Sequence, residues 1–231
     1  MREVYVVGFG GAAGSGKTTA ANMLAEVAQP MQSEHFEFSD PIMQIGRSLL
    51  ADISNNQNSR TEDYKGILSD KLSEYGMSVS FDQNIPQLSD AYIKSLCSGE
   101  LAELTHETKN QHRPLLEWLG RSAIVMVSPT VWGDILRHNV GASLQTGNRL
   151  ITIGGVRTTA DRALIRELSG SMIRMVRNLQ GRTQLDTEYQ LSEWTADYTV
   201  FNENTKDELF EEIGRIWADI VEDNNSQSIA Q

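Results

Sequence analysis

The stretch GFGGAAGSGKTTAANML, residues 8–24, decides the fold, because five glycines fall within its first nine residues, directly before a helix-forming run. Glycine is costly to order, so such a cluster indicates that the backbone needs unusual conformations or close approach to a ligand. Gly11, Gly16, Lys17 and Thr18 fit the pattern GxxxxGK[ST]. A predicted strand at 3–9 precedes the pattern and a predicted helix at 18–28 follows it. In that context, loop N–H groups and the helix N-terminus bind phosphate oxygens.

The side chains of this loop have separate expected roles. Lys17 is expected to reach the β- and γ-phosphates of a nucleotide, and the Thr18 hydroxyl is expected to ligate Mg²⁺. The predicted phosphate-binding residues are Gly11, Ala13, Gly14, Ser15, Gly16, Lys17, Thr18 and Thr19.

Composition limits the classes of partner. The chain has 231 residues, 39% of them hydrophobic, with a net charge of −11 and one cysteine, Cys97. This charge argues against a nucleic-acid polymer as the main partner, since such binding depends on clustered Lys and Arg. No apolar stretch approaches the length of a membrane span, and the short run at 4–7 does not fit a signal peptide. We therefore expect a cytoplasmic protein that does not bind membranes.

Strand and helix patterns alternate along most of the chain. Strands are predicted at 3–9, 34–39, 149–155, 170–178 and 197–202, and helices at 18–28, 40–50, 114–126, 130–138, 160–168 and 206–221. The first residues of two helices carry capping signals, Asp40 as an N-cap before Pro41 and a capping box from Thr205 to Glu208. Alternation of this kind predicts an α/β fold, with three layers and a five-stranded parallel sheet.

Two polar segments interrupt the alternation. Residues 52–111 are rich in Ser, Asn and Asp, with helical patterns at 64–76 and 88–107, and are interpreted as an insertion that binds a phosphate acceptor. Residues 177–194 form an arginine-bearing, lid-like excursion before the last strand. The tail at 223–231 is expected to fray. We interpret residues 1–231 as one domain.

A phosphate-binding loop alone does not name the chemistry. A GTPase should carry an NKxD-like guanine reader, and the nearest string, TKDE at 205–208, opens the last helix. A motor ATPase usually has a strand that ends in an acidic residue, whereas LITIGG at 150–155 ends in glycines. A kinase fits better, because phosphoryl transfer needs a lid that excludes water and the arginine-bearing segment at 177–194 is lid-like. A binding module that has lost catalysis remains an alternative.

Further motifs carry a family resemblance. They are FSDP at 38–41, RPLLEWLG at 113–120, VW at 131–132, VRTTAD at 156–161, MIRMVR at 172–177, LSE at 191–193 and DYTVFNENTKDEL at 197–209. In order and spacing they resemble the P-loop deoxynucleoside monophosphate kinases of bacteriophages, which are relatives of dephospho-CoA kinases. The resemblance implies a P-loop kinase fold and transfer of a phosphoryl group from Mg·ATP to a (deoxy)nucleoside monophosphate. It also implies that Asn202 lies in the turn that approaches adenine.

The chain departs from the family at three positions. Gly155 stands where the family strand has Asp, so a carboxylate that helps to hold Mg²⁺ or the acceptor is absent. Asp161 stands where the family has Glu, and Gln190 where it has His. These departures bear on catalysis and leave the nucleotide-binding loop unchanged.

The remaining candidate residues are mostly arginines and carboxylates, each with a plain structural alternative as a solvated side chain, a helix cap or a core residue. The catalytic candidates are Lys17, Asp40, Arg157, Arg177 and Arg182. The acceptor-binding candidates are Asp40, Arg47, Arg113, Trp118, Arg121, Asp161 and Glu193, where Arg suits bidentate phosphate contacts and Trp118 would stack on a base.

Three questions stay open. A hydroxyl acceptor of the dephospho-CoA kinase type would need a base such as Asp40, and a nucleotide-binding protein with a vestigial site is the other alternative. The histidines at 35, 106, 112 and 138 lack metal-ligand spacing, so no protein-held zinc is predicted. The sequence does not decide whether the chain forms a homodimer.

Overall fold

The computed structural model describes residues 3–55, 61–80, 87–98, 100–105, 107–177 and 195–229. The strands are β1 (Tyr5–Gly10), β2 (Ser33–Glu37), β3 (Leu150–Val156), β4 (Ser171–Val176) and β5 (Tyr198–Phe201). The helices are α1 (Lys17–Val27), α2 (Asp40–Asn55), α3 (Thr61–Glu74), α4 (Asp90–Cys97), α5 (Arg113–Met126), α6 (Val131–Gln145), α7 (Thr159–Glu167) and α8 (Lys206–Ile229). Within the described ranges, none of these helices combines the length and the apolar character needed to cross a membrane.

The chain divides into two compact units. The first contains Met1–Phe38 and Asn139–Gln231, and the second is Ser39–His138. The second unit spans more of the sequence than the predicted insertion at 52–111, because it also contains α2 and α5.

The first unit is built on a five-stranded sheet in the order β2-β3-β1-β4-β5. Each neighbouring pair is parallel, which confirms the predicted five-stranded parallel α/β sheet. β1 therefore lies between β3 and β4. In open α/β sheets, ligands bind at the carboxyl ends of the strands where the strand order reverses, so the loop after β1 occupies the expected place for a ligand.

Side-chain alternation along β1 explains the three layers. Val7 and Phe9 are fully buried in one core, together with Leu24 of α1 and Ile213 of α8. Gly8 faces the other side of the sheet, where α7 packs so closely that a Cβ on Gly8 would lie 3.0 Å from Ile165. Helices therefore cover both faces of the sheet, as a parallel sheet requires.

The last helix begins as predicted and ends later. The Thr205 N–H donates to Glu208 at 2.9 Å and the Glu208 N–H donates to the Thr205 hydroxyl at 3.3 Å, which confirms the capping box. The sequence predicts that this helix ends at 221, whereas α8 continues to Ile229. The fraying expected at 223–231 stays a prediction. Helix propagation costs little once a helix is formed, so polar residues can extend it.

The second unit has a core of its own. Tyr64, Leu68 and Leu72 recur every four residues along α3 and are buried against Leu115 and Leu119 of α5. The polar insertion therefore contributes an apolar helix face to a packed core. The helix predicted at 88–107 is shorter in the structure, since α4 covers Asp90–Cys97 only.

Candidate functional site

The loop after β1 has the backbone of an anion-binding nest. Gly11, Gly14 and Gly16 have φ values of 142°, 82° and 98°, a region that residues with a Cβ rarely adopt. The Ser15 N–H closes a turn on the Ala12 carbonyl at 3.1 Å. Residues in left-handed conformations turn successive N–H groups toward one side, which suits phosphate oxygens.

Close packing surrounds two of these glycines, against a backbone atom at Gly11 and against the end of a side chain at Gly16. A Cβ on Gly11 would lie closer than 3.0 Å to the carbonyl oxygen of Met175, at the end of β4. A Cβ on Gly16 would come equally close to the amide nitrogen of Asn202, which follows β5. The loop thus lies against the carboxyl ends of two other strands.

Asn202 connects the loop to the sheet through two hydrogen bonds. Its side-chain amide donates to the Ser15 carbonyl at 2.8 Å, and its backbone N–H donates to the Val176 carbonyl at 2.8 Å. These bonds give Asn202 a positioning role for the loop. The contact with adenine that the resemblance implies stays a prediction.

The Lys17 ammonium lies over the loop. Its Nζ donates to the carbonyls of Gly11 at 2.9 Å and Ala12 at 2.8 Å. Because an ammonium group has three donors on a flexible stem, Lys17 can keep one of these bonds while it turns another donor to a phosphate. The contact of Lys17 with the β- and γ-phosphates stays a prediction.

The Ser15 hydroxyl is a second sign of a ligand site. Ser15 is fully buried, and its Oγ has no hydrogen-bond partner among the described residues. An unsatisfied buried polar group costs about 1–3 kcal/mol. A bound anion that accepted this hydrogen bond would offset the cost.

The first turn of α1 is open to a ligand. Its N-cap, Gly16, has no side chain to cap the helix, and the first turn contains no acidic residue. The positive end of the helix dipole is therefore uncompensated by the helix itself. Thr18 and Thr19 are exposed here, so the Thr18 hydroxyl is accessible as a Mg²⁺ ligand.

Predicted arginines follow two of the strands beside β1. Arg157 comes directly after β3 and Arg177 directly after β4, and both are exposed. The carboxyl ends of parallel strands share one edge, so both arginines belong to the same sheet edge as the P-loop. Arg182 and Glu193 lie outside the described residues.

Asp161 has a structural role that explains it without an acceptor. Its Oδ2 accepts the N–H groups of Arg157 and Thr158, both at 2.8 Å, and the Thr158 hydroxyl accepts the Asp161 N–H at 3.1 Å. These bonds form the capping box of α7. The predicted acceptor contact of Asp161 gains no support from this geometry.

Glu37 was missed in the sequence. It is the last residue of β2, and its carboxylate occupies the space beside Gly154 and Gly155 of β3. A Cβ on Gly155 would lie 2.8 Å from the Glu37 Oε2. A carboxylate therefore lies at the end of β3, although the sequence has Gly155 where the resembled family has Asp. The signal was present as a glycine pair at the end of one strand, opposite an acidic residue on another, but reading it required the strand register.

The other sequence candidates lie in the second unit, where Asp40 begins α2. The Met43 N–H donates to the Ser39 carbonyl at 3.0 Å, so Ser39 is the N-cap and Asp40 is the first helical residue. The predicted N-cap is thus wrong by one position. Asp40 is half-buried and in the first turn, where a carboxylate interacts favourably with the helix dipole.

Trp118 is not available for base stacking. Its exposed fraction is 3%, and it belongs to the hydrophobic core of the second unit. The predicted stacking role is therefore wrong. Trp118 lies on the apolar face of α5 and packs in that core instead.

The three candidate arginines of the second unit are all exposed. The Arg47 Nε donates to the Leu104 carbonyl at 3.0 Å, and the Arg113 Nε forms an ion pair with Glu117 at 2.9 Å. Such an exposed i,i+4 pair contributes only about 0.3–0.5 kcal/mol, so it leaves Arg113 free to exchange its partner at little cost. The acceptor contacts of Arg47, Arg113 and Arg121 stay predictions.

Arg47 also lines a cavity of about 340 Å³ within the second unit. Apolar side chains form most of its wall, and Glu103 and His112 complete it. His112 is buried: its Nε2 donates to the Ala102 carbonyl and its Nδ1 accepts from the Tyr92 hydroxyl, both at 2.7 Å. Burial raises the pKa of the Tyr92 phenol far above its usual range, so Tyr92 remains a donor.

The described histidines serve packing and hydrogen bonding. His35 contacts Thr152 and Glu37, and the His138 ring packs edge-on against Tyr75 at a centroid distance of 5.8 Å. Within the described residues, no group of three or more His, Cys, Asp or Glu side chains is arranged to hold a metal ion. His106 lies outside those residues.

No protein-family model matches the chain, and no curated protein matches it. Solved structures do resemble it over nearly its full length. A sugar kinase from Janibacter sp. HTCC2649 covers 95% of this chain and 96% of its own, at 14% identity and a TM-score of 0.37. The match to the Thermus thermophilus protein TT1252 covers 94% of this chain and 98% of that protein, at 13% identity and a TM-score of 0.41. The match to a dephospho-CoA kinase from Campylobacter jejuni covers 93% of this chain and 96% of that kinase, at 14% identity and a TM-score of 0.37. At these TM-scores the likeness carries no argument about the activity of this chain.

Proposed function

We propose that the chain is a P-loop kinase that transfers the γ-phosphoryl group of Mg·ATP to a (deoxy)nucleoside monophosphate. The observation that carries the proposal is the loop after β1, where left-handed glycines, the Lys17 ammonium and the uncapped start of α1 converge. All three features favour a bound polyphosphate. The monophosphate acceptor rests on the family resemblance of the motifs.

Catalysis in such an enzyme is mainly positioning and electrostatic stabilisation. Lys17 and the loop N–H groups would hold the β- and γ-phosphates. Arg157 and Arg177, on the same sheet edge, are suited to neutralise charge that develops on the transferred group. Arg182 is proposed for the same role from the sequence alone. The acceptor oxygen is already anionic, so no strong general base is required.

Mg²⁺ fits the residues present. The exposed Thr18 hydroxyl is a hard oxygen ligand directly after Lys17, and the nucleotide phosphates supply others. When bound, the ion would neutralise negative charge on the phosphates, with Thr18 as the residue that would hold it.

A coupled assay of ADP release tests the proposal. The purified chain is given Mg·ATP with a panel of ribo- and deoxynucleoside monophosphates and with dephospho-CoA. Turnover on a monophosphate that Lys17→Ala abolishes would support the proposal and identify the base. Lys71→Ala is a matched control, because Lys71 pairs with Glu74 on the surface of α3.

The other outcomes separate the alternatives. Turnover on dephospho-CoA alone would reassign the acceptor to a hydroxyl group and direct attention to Asp40 as a base. ATP binding without turnover on any acceptor would contradict the kinase proposal and favour a nucleotide-binding protein with a vestigial site.

A further inference from the structure

Glu37 fills the position of a missing side chain at the end of β3. Gly154 and Gly155 have no side chains, and Gly155 has a φ of 73°. The oxygens of the Glu37 carboxylate lie closer than 3.0 Å to the Cβ positions of both glycines. The carboxylate thus lies across the end of β3, although its backbone belongs to β2.

The strand register brings this carboxylate toward the P-loop. Glu37 pairs with Gly154, and Gly10, the last residue of β1, pairs with Val156. β3 is the strand between β2 and β1. Because neighbouring strands are about 4.8 Å apart, a group that lies on β3 is about one strand spacing from the end of β1. All of these residues belong to the first unit.

A hydrogen bond from His35, itself held by Thr152, orients Glu37 without removing it from solvent. The His35 Nε2 lies 3.4 Å from the Glu37 Oε1, and its Nδ1 lies 2.8 Å from the Thr152 hydroxyl. Thr152 is buried, whereas the side chain of Glu37 is 23% exposed. An oriented carboxylate with access to water suits a hydrated Mg²⁺ ion, which keeps several waters and uses one or two carboxylates with the substrate phosphates.

We propose that Glu37 positions the Mg²⁺ ion of the bound nucleotide through a metal-bound water, in place of the carboxylate that Gly155 lacks. The inference rests on the proposed function. It assigns Thr18 and Glu37 to the same ion, one as a direct ligand from α1 and the other through water from β2. Glu37 is a positioning residue in this scheme.

Nucleotide binding with and without the metal tests the proposal. A non-hydrolysable ATP analogue is titrated calorimetrically with excess Mg²⁺ and then with EDTA, and the ratio of the two affinities is the Mg²⁺-dependent gain. Glu37→Gln is expected to reduce this gain about tenfold or more, as loss of an outer-shell metal partner does, with the affinity in EDTA unchanged. Glu34→Gln, on the same strand, is the control, because Glu34 binds Ser143 and Asn148 instead.

A second variant moves the carboxylate and keeps its charge. In Gly154→Ala the new methyl group takes the space of the Glu37 oxygens, and the flexible end of that side chain must swing away. This variant should also lose the gain, and its thermal unfolding shows whether the sheet is intact. Electron paramagnetic resonance of bound Mn²⁺ should report the same loss in both variants.

The failures are distinguishable. An unchanged Mg²⁺-dependent gain in Glu37→Gln or in a folded Gly154→Ala variant would overturn this inference and leave the proposed function standing. Absence of nucleotide binding by the unmodified protein would overturn both.

Discussion

Replacement of Gly11 by alanine tests the loop geometry directly. The position has a φ of 142°, and the new Cβ would lie closer than 3.0 Å to the Met175 carbonyl oxygen and 2.8 Å from the Ser15 hydroxyl. Ordinary C···O contacts are about 3.3–3.6 Å long, so the loop or the end of β4 would have to move. The Met175 oxygen is a backbone atom and cannot rotate away as a side chain would.

The expected loss follows from two costs. A non-glycine residue held in a glycine-only conformation costs about 1–3 kcal/mol, and overpacking against a fixed atom costs about 1–3 kcal/mol more. Because part of each cost is relieved by the same shift, we expect Gly11→Ala to lower the free energy of unfolding by about 3 kcal/mol. For a chain of this size, 1 kcal/mol corresponds to about 2–4 °C in Tm, so Tm should fall by about 6–12 °C.

Gly141→Ala is the matched control for this experiment. Gly141 lies in α6, in the same unit, and a Cβ there would have no heavy atom within 4 Å. Alanine is the better helix former, so this change should stabilise the protein by about 0.5–1 kcal/mol. Thermal unfolding followed by circular dichroism measures both variants. Equal Tm values for Gly11→Ala and the unmodified protein would refute the strained loop.

Three further predictions concern single side chains. Asn202→Ala removes the amide bond to the P-loop and should weaken nucleotide binding about fivefold by calorimetry, the equivalent of about 1 kcal/mol for one neutral hydrogen bond; unchanged affinity would contradict its positioning role. Tyr92→Phe leaves the buried Nδ1 of His112 unpaired and should lower the free energy of unfolding by about 1–3 kcal/mol in urea titrations; a change near zero would exclude that bond. Hydrogen bonds from Thr205 lower the pKa of Glu208 below its ordinary 4.5, so its contribution to stability is present above that pH and is lost as the pH falls through the lowered value. Glu208→Ala should therefore differ from the unmodified protein more at pH 7 than at pH 3, and a constant difference would count against the cap.

The parts of the fold that local pattern determines were predictable. The strand at β1, the glycine loop and the capping box from Thr205 to Glu208 each depend on residues close in sequence, and each is present. The five-stranded parallel sheet follows from alternation of strands and helices along the chain. Local signals of this kind need no knowledge of which strands are neighbours.

Failures of prediction have a common physical cause in long-range contacts. Glu37 lies over Gly154 only because β2 pairs with β3 in one register, and no local pattern states that register. For Trp118 the sequence left base stacking and a core position open, and the packing of the second unit decides for the core. The role of Asp161 was ambiguous for a related reason, because a first-turn carboxylate can cap its own helix or contact a ligand.

The whole chain has a net charge of −11, and some of its carboxylates cluster at the amino end of β5. At the amino end of β5, Asp197, Asp219, Glu222 and Asp223 line one surface depression together with Tyr198. Burial is the main cause of the raised pKa of the Tyr198 phenol, and the carboxylates of Asp223, Asp219 and Asp197 raise it further. Arg166 compensates part of this charge through its ion pair with Asp197 at 2.7 Å. Four carboxylates therefore surround this depression, and Arg166 pairs with one of them.

Three cationic side chains follow strands at the opposite end, where the Glu37 carboxylate also lies. Lys17, Arg157 and Arg177 follow β1, β3 and β4, and the start of α1 adds the positive end of its dipole. At physiological ionic strength, charges more than about 8 Å apart are largely screened, so a nucleotide at this edge responds to these local cations rather than to the net charge. The acidic composition, which argues against binding a long polyanion along the surface, is thus compatible with a short polyphosphate held at one sheet edge.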